Sequence, residues 1–233
     1  MRQSPPPTRA VLCCACSPTN ADLTSATPAM VRTSRSVRWE NGQATCGHYT
    51  GVTVKRLWLL RHAKSSWDDP SLPDTDRPLA PRGRRAAELL AAHLAVSDVR
   101  PSVVLCSSSL RTRETLAAIL PALGDALEIR IQRALYGAGA TELLQRLRQV
   151  SNRASSVMLI AHNPGIQDLA LGLASSGPAL ASLREKFPTG ALATVEVEVE
   201  RWRDVDNGIA TATTLVTPRS LESGVVTGPS SSW

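Results

Sequence analysis

Two histidines and two arginines each stand at or just after the end of an apolar run that has the length of a buried strand. An imidazole can attack phosphorus, and guanidinium groups can bind the oxygens of a phosphoryl group. The carboxyl ends of parallel strands meet at one edge of a sheet, so residues at those ends become neighbours. The sequence therefore predicts one phosphate-binding pocket. Its residues are Arg61 and His62 after the run 54–60, Arg111 after 103–106, and His162 after 157–161.

We expect three of these four side chains to bind the phosphoryl group and the fourth to attack its phosphorus. A phosphoryl group in transfer needs cationic donors around its equatorial oxygens and a nucleophile in line with the leaving group. We expect Arg61, Arg111 and His162 to bind the oxygens, and His62 to attack the phosphorus. Neighbouring guanidinium charges should lower the pKa of His62 and keep one ring nitrogen unprotonated, whereas bound phosphate should raise that pKa. Attack by His62 would divide hydrolysis into two displacements through a phosphohistidine.

Nearby polar residues are weaker candidates for the same pocket. Lys64 and Asn163 stand next to the two histidine motifs in the sequence and could contact substrate. Arg113 lies two positions after Arg111 and is the alternative candidate for binding the phosphate. We expect Arg113 to make a surface ion pair instead. Arg77 and Arg82 are expected to be structural or solvent-facing.

The order of the hydrophobic patterns predicts an α/β layer fold. Short apolar runs alternate with segments in which apolar residues recur every three or four positions, as expected for strands that alternate with helices. Residues 192–200 alternate Val with Glu, which predicts a strand with one solvent face near a sheet edge. The predicted strands are 52–60, 103–106, 127–131, 157–161, 192–200 and 209–216, and the predicted helices are 82–96, 110–120, 141–150 and 165–173.

Composition divides the chain into one globular domain and two tails. Residues 1–51 are rich in Ser, Thr, Pro and Arg and lack an apolar period. We expect this segment to be disordered or to reflect a start codon assigned too far upstream, with an organellar transit peptide as the alternative. Residues 52–221 carry the regular patterns, and residues 222–233 are expected to form a disordered tail. Four of the five cysteines lie in the first tail, without the spacing of a disulfide framework or a zinc site.

Charge and hydropathy argue against two broad classes of partner. Half of the net charge of +6 lies in residues 1–51, and the chain has one Phe and two Tyr, so we expect no nucleic-acid-binding surface. No apolar run approaches the roughly 20 residues of a membrane span, and we expect no signal peptide. The interpretation is a soluble, cytoplasmic protein that binds small anionic groups and needs no metal or other cofactor. The oligomeric state is left open.

Four motifs stand out in the sequence. They are Leu60-Arg61-His62-Ala63-Lys64, Arg77-Pro78-Leu79 to Arg82-Gly83, Ser109-Leu110-Arg111-Thr112-Arg113-Glu114-Thr115 and His162-Asn163-Pro164-Gly165. In order and spacing they resemble the motifs of the histidine phosphatase superfamily, and the compact chain is similar to its SixA-type phosphohistidine phosphatase branch. The resemblance covers roughly residues 54–221 and implies a phosphoglycerate mutase-like, three-layer α/β/α fold. With the strand pattern, the expected sheet is mostly parallel with an antiparallel edge strand. The resemblance implies that His62 is the phosphorylated nucleophile and that Arg61, Arg111 and His162 bind phosphate.

The expected activity is metal-independent hydrolysis of phosphohistidine on a protein. Many members of the superfamily place an acidic residue over the leaving group, and here the candidates are Asp68, Asp69 and Glu142. A missing acid would favour phosphohistidine, since a protonated imidazole leaves more readily than a sugar alkoxide. Two alternatives stay open. One is hydrolysis of a small phosphomonoester, such as a sugar phosphate or nucleotide, and the other is phosphate binding without turnover.

Overall fold

The structure, a computed structural model, describes residues 37–40, 43–46 and 53–224. Two compact units divide the chain, Met1–Thr50 and Gly51–Trp233. In the first unit, strands β1 (Val37–Glu40) and β2 (Gln43–Cys46) pair antiparallel. They lie within the segment expected to be disordered, and the rest of that segment lies outside the described residues. The predicted domain boundaries therefore stay predictions.

Seven strands of the second unit form one sheet. The order across it is the fifth, fourth, sixth, third, eighth, ninth and seventh strand of the chain. Two inner strands, at residues 103–107 and 156–161, are buried along their whole length, as expected where a sheet is covered on both faces. The strands are β3 (Val54–Arg61), β4 (Val103–Ser107), β5 (Glu128–Gln132), β6 (Ser156–Ala161), β7 (Ala174–Ser176), β8 (Leu192–Glu198) and β9 (Ala210–Val216).

The direction of the strands confirms a mostly parallel sheet and corrects one detail. Six strands run in the same direction, and β8 runs antiparallel to both of its neighbours, β3 and β9. The predicted solvent face of β8 is present, because Glu196 is half-buried and Glu198 is exposed while Val195 and Val197 are buried. Its predicted place at the sheet edge is wrong. The alternation of apolar and polar residues indicates how many faces of a strand are buried, but it does not indicate how many strands lie beside that strand. Here β9 and β7 continue the sheet beyond β8.

Within residues 53–224, six α-helices accompany the sheet. All four predicted helices and all six predicted strands are present, with bounds within two residues of those expected. The sequence did not indicate β7 or the last two helices, which are too short to show a period. The helices are α1 (Pro81–Val96), α2 (Leu110–Ile119), α3 (Ala140–Arg148), α4 (Gly165–Leu173), α5 (Leu180–Glu185) and α6 (Pro218–Glu222).

Alternate side chains of β3 pack into two separate cores, which gives the three-layer architecture. Leu57 and Leu59 belong to the core shared with α3, α4 and α5, whereas Trp58 and Leu60 belong to the core shared with α1 and α2. Burial of each such leucine contributes about 1.5–3 kcal/mol. The strand that leads to His62 is therefore fixed from both faces of the sheet.

The start of α1 packs directly on the backbone that follows β3. A Cβ atom on Gly83 would lie 2.1 Å from the carbonyl oxygen of Lys64, so only glycine fits at this position. The same carbonyl accepts a hydrogen bond from the N–H of Ala80 at 2.8 Å. This contact fixes the path of the chain just beyond His62.

The described residues offer no candidate for a membrane span or for a cluster of metal ligands. Among them, no helix has the length and apolar character needed to cross a bilayer. Nor do three or more His, Cys, Asp or Glu side chains in this part of the chain gather closely enough to hold a metal ion.

Candidate active site

The carboxyl ends of three adjacent parallel strands bring the four predicted residues together. β3 and β6 end in register, with Arg61 opposite Ala161, and β4 pairs with the other side of β6. The rings of His62 and His162 have their centroids 4.9 Å apart. Nη2 of Arg111 lies 3.5 Å from Nδ1 of His162. We call Arg61, His62, Arg111 and His162 the His–Arg cluster.

The backbone fixes which nitrogen of His62 is free. Its Nδ1 donates a hydrogen bond to the carbonyl oxygen of Ala63 at 2.8 Å. Because a carbonyl oxygen can only accept, Nδ1 carries the proton of the neutral ring. The lone pair of the neutral ring is then on Nε2, which makes no hydrogen bond to a described residue. His62 thus presents the form of imidazole that can act as a nucleophile.

Burial and positive charge keep His62 neutral. Its pKa falls from 6.5 to about 4, chiefly because the ring is buried, and also because the charges of Arg111 and Arg61 disfavour a third cation. The hydrogen bond to the Ala63 carbonyl and the negative charge of Asp74 act in the opposite direction. The direction agrees with the expectation from the neighbouring arginines, although desolvation is the larger cause.

His162 is held by a serine at the end of β4. Its Nε2 lies 2.8 Å from Oγ of Ser107, and its Nδ1 faces the guanidinium of Arg111. Since a guanidinium has no acceptor, Nδ1 is the acceptor in that contact and Nε2 donates to Ser107. Burial, followed by the charges of His62 and Arg111, lowers the pKa of His162 to about 3. Both rings of the cluster are therefore neutral around pH 7.

Arg61 retains an unused donor at the cluster. Its Nη1 donates to the carbonyl oxygen of Phe187 at 2.8 Å, while its buried Nε has no hydrogen-bond partner among the described residues. Asn163 bonds the same carbonyl at 3.2 Å and Oε1 of Gln167 at 3.0 Å, so its amide nitrogen is engaged by the protein. Nε of Arg61 is thus a donor that a phosphoryl oxygen bound at the cluster can accept from.

Asp74 anchors the guanidinium of Arg111. Nη1 of Arg111 donates to the Asp74 carbonyl oxygen, and Nη2 donates to its Oδ2 at 2.8 Å. The hydroxyl of Tyr136 donates to the same Oδ2 at 2.7 Å. The pKa of Asp74 is lowered by the Tyr136 bond first and by the Arg111 bond in addition. Asp74 is thus an ionised group that orients Arg111, and it holds no proton to give near neutral pH.

Arg77 is buried beside this anchor, which agrees with the structural one of the two roles expected for it. Its guanidinium carbon lies 3.9 Å from the ring centroid of Trp67, whose side chain is 64% exposed. Nε of Arg77 is 3.6 Å from Oδ1 of Asp74, which is an ion pair but too long for a hydrogen bond. Neither Nε nor Nη1 has a hydrogen-bond partner in the described chain. The stack on Trp67 explains the burial without a full set of bonds.

The three predicted acids lie in exposed positions outside the cluster. Asp68 accepts from the hydroxyl of Ser66 at 2.8 Å, and Asp69 accepts from the hydroxyl of Ser71 at 2.6 Å. Glu142 is exposed in the first turn of α3. The structure gives none of the three carboxylates a hydrogen bond to a residue of the cluster. The carboxylate that does contact the cluster is that of Asp74, through its hydrogen bond with Arg111.

The other sequence candidates lie at the surface. Lys64 and Arg82 are exposed and line a groove beside the cluster. Arg113 is exposed, and it forms no ion pair with a described residue, so the surface ion pair expected for it is not found. Of the two arginines that competed for the phosphate role, the structure places Arg111 in the cluster.

One threonine joins the two segments that carry the cluster. Oγ1 of Thr115 accepts a hydrogen bond from the N–H of Ala63 at 3.1 Å and donates to the carbonyl oxygen of Arg111 at 2.7 Å. Its side chain is fully buried. The helix that carries Arg111 is therefore connected directly to the backbone beside His62.

Sequence reasoning missed Asp74, Tyr136 and the carbonyl of Phe187. All three lie outside the long helices and central strands, in segments that show no hydrophobic periodicity. A weak signal was present for Asp74, which stands three residues before the recognised motif that begins at Arg77. For the other two residues the sequence offers no signal, because their approach to the cluster depends on the tertiary fold.

Comparison with known proteins agrees with this geometry. The histidine phosphatase superfamily (branch 1) profile matches residues 57–142. A candidate phosphohistidine phosphatase SixA from Nakamurella multipartitia is 31% identical, with a TM-score of 0.62 over 71% of this chain and 96% of that one. Its counterpart from Agrobacterium tumefaciens is 30% identical, with a TM-score of 0.56 over 61% and 92% of the two chains.

An uncharacterised protein of Mycobacterium tuberculosis extends the similarity to a sequence relative. It is 36% identical over 164 residues, which are 69% of this chain and the whole of the relative. The chain belongs to the histidine phosphatase superfamily and is a phosphatase of the SixA type.

Proposed function

We propose that this phosphatase hydrolyses phosphohistidine on a protein through a covalent intermediate on His62. In the first step, Nε2 of His62 attacks phosphorus, the P–N bond to the substrate imidazole breaks, and that imidazole leaves with a proton already on its other nitrogen. In the second step, water attacks the phosphorus of phosphorylated His62. Inorganic phosphate is released, and the neutral ring is regenerated.

The cations of the cluster would stabilise the transferred group. Arg61 offers its unpartnered buried Nε, and the guanidinium of Arg111 is held in place by Asp74. A dianionic phosphoryl group also opposes the burial and the neighbouring positive charge that keep the pKa of His162 low. His162 can then gain a proton and donate to a phosphoryl oxygen. Such donors in a buried site act on the charge that develops in transfer.

The state of Asp74 is the observation that favours a phosphoramidate over an ester. An alkoxide leaving group needs a proton from a nearby acid, whereas a protonated imidazole does not. The carboxylate that contacts the cluster has a lowered pKa and is already hydrogen-bonded by Tyr136 and Arg111. The solved relatives from Nakamurella multipartitia and Agrobacterium tumefaciens are candidate phosphohistidine phosphatases, which supports the same choice.

Trapping the intermediate tests the proposal. Wild-type protein, mixed with a protein domain phosphorylated on histidine with ³²P, should acquire label that is stable in alkali and lost in acid. His62→Ala should acquire none, and its turnover should fall by more than about 10⁴-fold. His93→Ala removes a partly exposed histidine of α1 and should retain turnover within about twofold.

Two outcomes would contradict the proposal. Full turnover by His62→Ala would exclude a covalent step at this ring. Efficient hydrolysis of sugar phosphates or nucleotides, with no hydrolysis of phosphohistidine, would assign the same cluster to small phosphomonoesters.

A further inference from the structure

A groove of about 430 Å³ lies beside the His–Arg cluster, between α1, α5, α6 and the segment that joins α5 to β8. Four cationic and two anionic side chains line it, which leaves a net charge of +2. We call it the basic groove. Its charged residues are Lys64, Arg82, Lys186, Arg219, Glu185 and Glu222.

The four cations of the basic groove lack protein partners. Within residues 53–224, none of them forms an ion pair or a side-chain hydrogen bond, and neither glutamate pairs with them. Elsewhere on the same surface, Arg56, Arg148 and Arg201 each have a carboxylate within 3.2 Å. Unpaired like charges around a concave surface raise the local potential and attract anions.

One segment forms a wall of both the groove and the cluster. Lys186 lines the groove, and the carbonyl of the adjacent Phe187 accepts the hydrogen bond from Arg61 at 2.8 Å. On the opposite side, Lys64 stands two residues beyond the proposed nucleophile, which limits their Cα separation to about 7 Å. A chain whose phosphoryl group reaches the cluster can therefore place its neighbouring residues in the groove.

We propose that the basic groove binds carboxylate side chains next to the phosphohistidine of a protein substrate, an inference that rests on the proposed function. All four cations are exposed to solvent. Sites for small ligands bury most of the ligand surface, and cations so exposed would not enclose one. Exposed cations instead suit an acidic segment on another protein, where charge complementarity guides association and orients the partner.

Paired peptides and a double variant test this assignment. Two phosphohistidine peptides of equal length carry either Glu or Gln at the positions on both sides of the phosphohistidine. Wild-type protein should hydrolyse the Glu peptide with a kcat/KM about tenfold higher, mostly through KM, and added salt should reduce that ratio. The combined Lys186→Gln and Arg219→Gln variant should bring the ratio close to one. Arg184→Gln, an exposed α5 arginine outside the groove, should keep the wild-type ratio.

The outcomes separate this inference from the proposed function. Hydrolysis of both peptides at equal kcat/KM by the wild-type protein, or an unchanged ratio in the double variant, overturns the groove assignment while the phosphohistidine activity stands. A double variant that instead loses activity toward a sugar bisphosphate assigns the groove to a small ligand and overturns it too. If neither peptide is hydrolysed while p-nitrophenyl phosphate is, the proposed function fails and the groove assignment fails with it.

Discussion

The two ends of strand β3 carry similar charges in different states of pairing. At the amino end, Nζ of Lys55 donates to the carbonyl oxygen of Ala154 at 3.2 Å, and Arg56 lies 2.9 Å from a carboxylate oxygen of Asp98. Lys55 is only 2% exposed, yet protein acceptors reach its charge. At this end of the sheet the fold provides the partners of its own cations.

At the carboxyl end the pairing is incomplete. Arg61 and Arg77 keep buried N–H groups without a hydrogen-bond partner in the described chain, and two histidines have pKa values of about 4 and about 3. Leaving buried donors unpaired costs about 1–3 kcal/mol each. We call the amino end the structural end, because the described chain satisfies its charges, and we call the carboxyl end, which carries the proposed nucleophile, the reactive end.

Removing the anchored cation should give the largest effect on this contrast. Arg111→Gln deletes a charge that the fold holds next to both histidines, and kcat/KM should fall by about 100- to 1,000-fold. Steady-state kinetics with a phosphohistidine substrate measures this loss. Arg113→Gln, two residues away and exposed, is the control and should change kcat/KM by less than about twofold. Equal losses in the two variants would remove the distinction between a pocket cation and a surface one.

The ionisation of His62 should differ from that of an ordinary histidine. With its pKa near 4, the ring stays neutral as pH falls from 8 to 5 and gains a proton only below that range. The ring has a pKa of about 6.5 in the unfolded chain, so the unfolded chain binds this proton before the folded protein does. The free energy of unfolding should therefore decline as pH falls from about 6.5 to about 4. NMR of the ring nitrogens should show Nδ1 protonated and Nε2 unprotonated at pH 7. A midpoint near 6.5 would mean that the reactive end is as solvated as the surface.

The anchor itself should have a smaller effect. Asp74→Asn keeps the shape and removes the charge that orients Arg111, so kcat/KM should fall about tenfold. The pKa of His62 should also fall further, because Asp74 raises it. Asp76→Asn, an exposed change in the same turn, is the matched control. A rise in kcat/KM would show that Asp74 competes with phosphate for the arginine instead of positioning it.

The structural end should respond least. Arg56→Gln breaks exposed ion pairs with Asp98 and Glu196, and it should lower the free energy of unfolding by less than about 1 kcal/mol with no change in kcat/KM. Denaturant unfolding and steady-state kinetics on the same preparation measure both quantities. A clear loss of activity would show that the two ends of β3 are coupled through the strand.

The elements that carry the cluster were predictable because their patterns depend on local chemistry. Residues 57–60 before His62 and residues 157–161 before His162 are buried on both faces of the sheet, and such apolar runs are visible in the sequence whatever the neighbouring elements are. The rule that parallel strands end at one edge then places both histidines together. The strand around Val195 shows the limit, since its pattern revealed a solvent face but not how many strands lie beyond it.

The residues around the cluster were less predictable, because they come from loops. Asp74 reaches Arg111 from a short turn, and the Phe187 carbonyl reaches Arg61 from a segment distant in sequence. No periodicity marks either position. The basic groove has the same origin, since residues from four separate segments form it and no sequence window contains more than a part of it.

The hydroxyl of Thr115 has a consequence for how the enzyme can change during evolution. The group has one proton, which it gives to the carbonyl of Arg111, so it can only accept from the N–H of Ala63. Valine would occupy the same buried volume yet would break both bonds. The core would tolerate that exchange in volume, while the helix would lose its bonded link to the backbone beside His62. A related sequence with valine here would keep the fold and every histidine and arginine of the motifs. It would lose the bonds that fix the helix of Arg111 relative to the backbone beside His62.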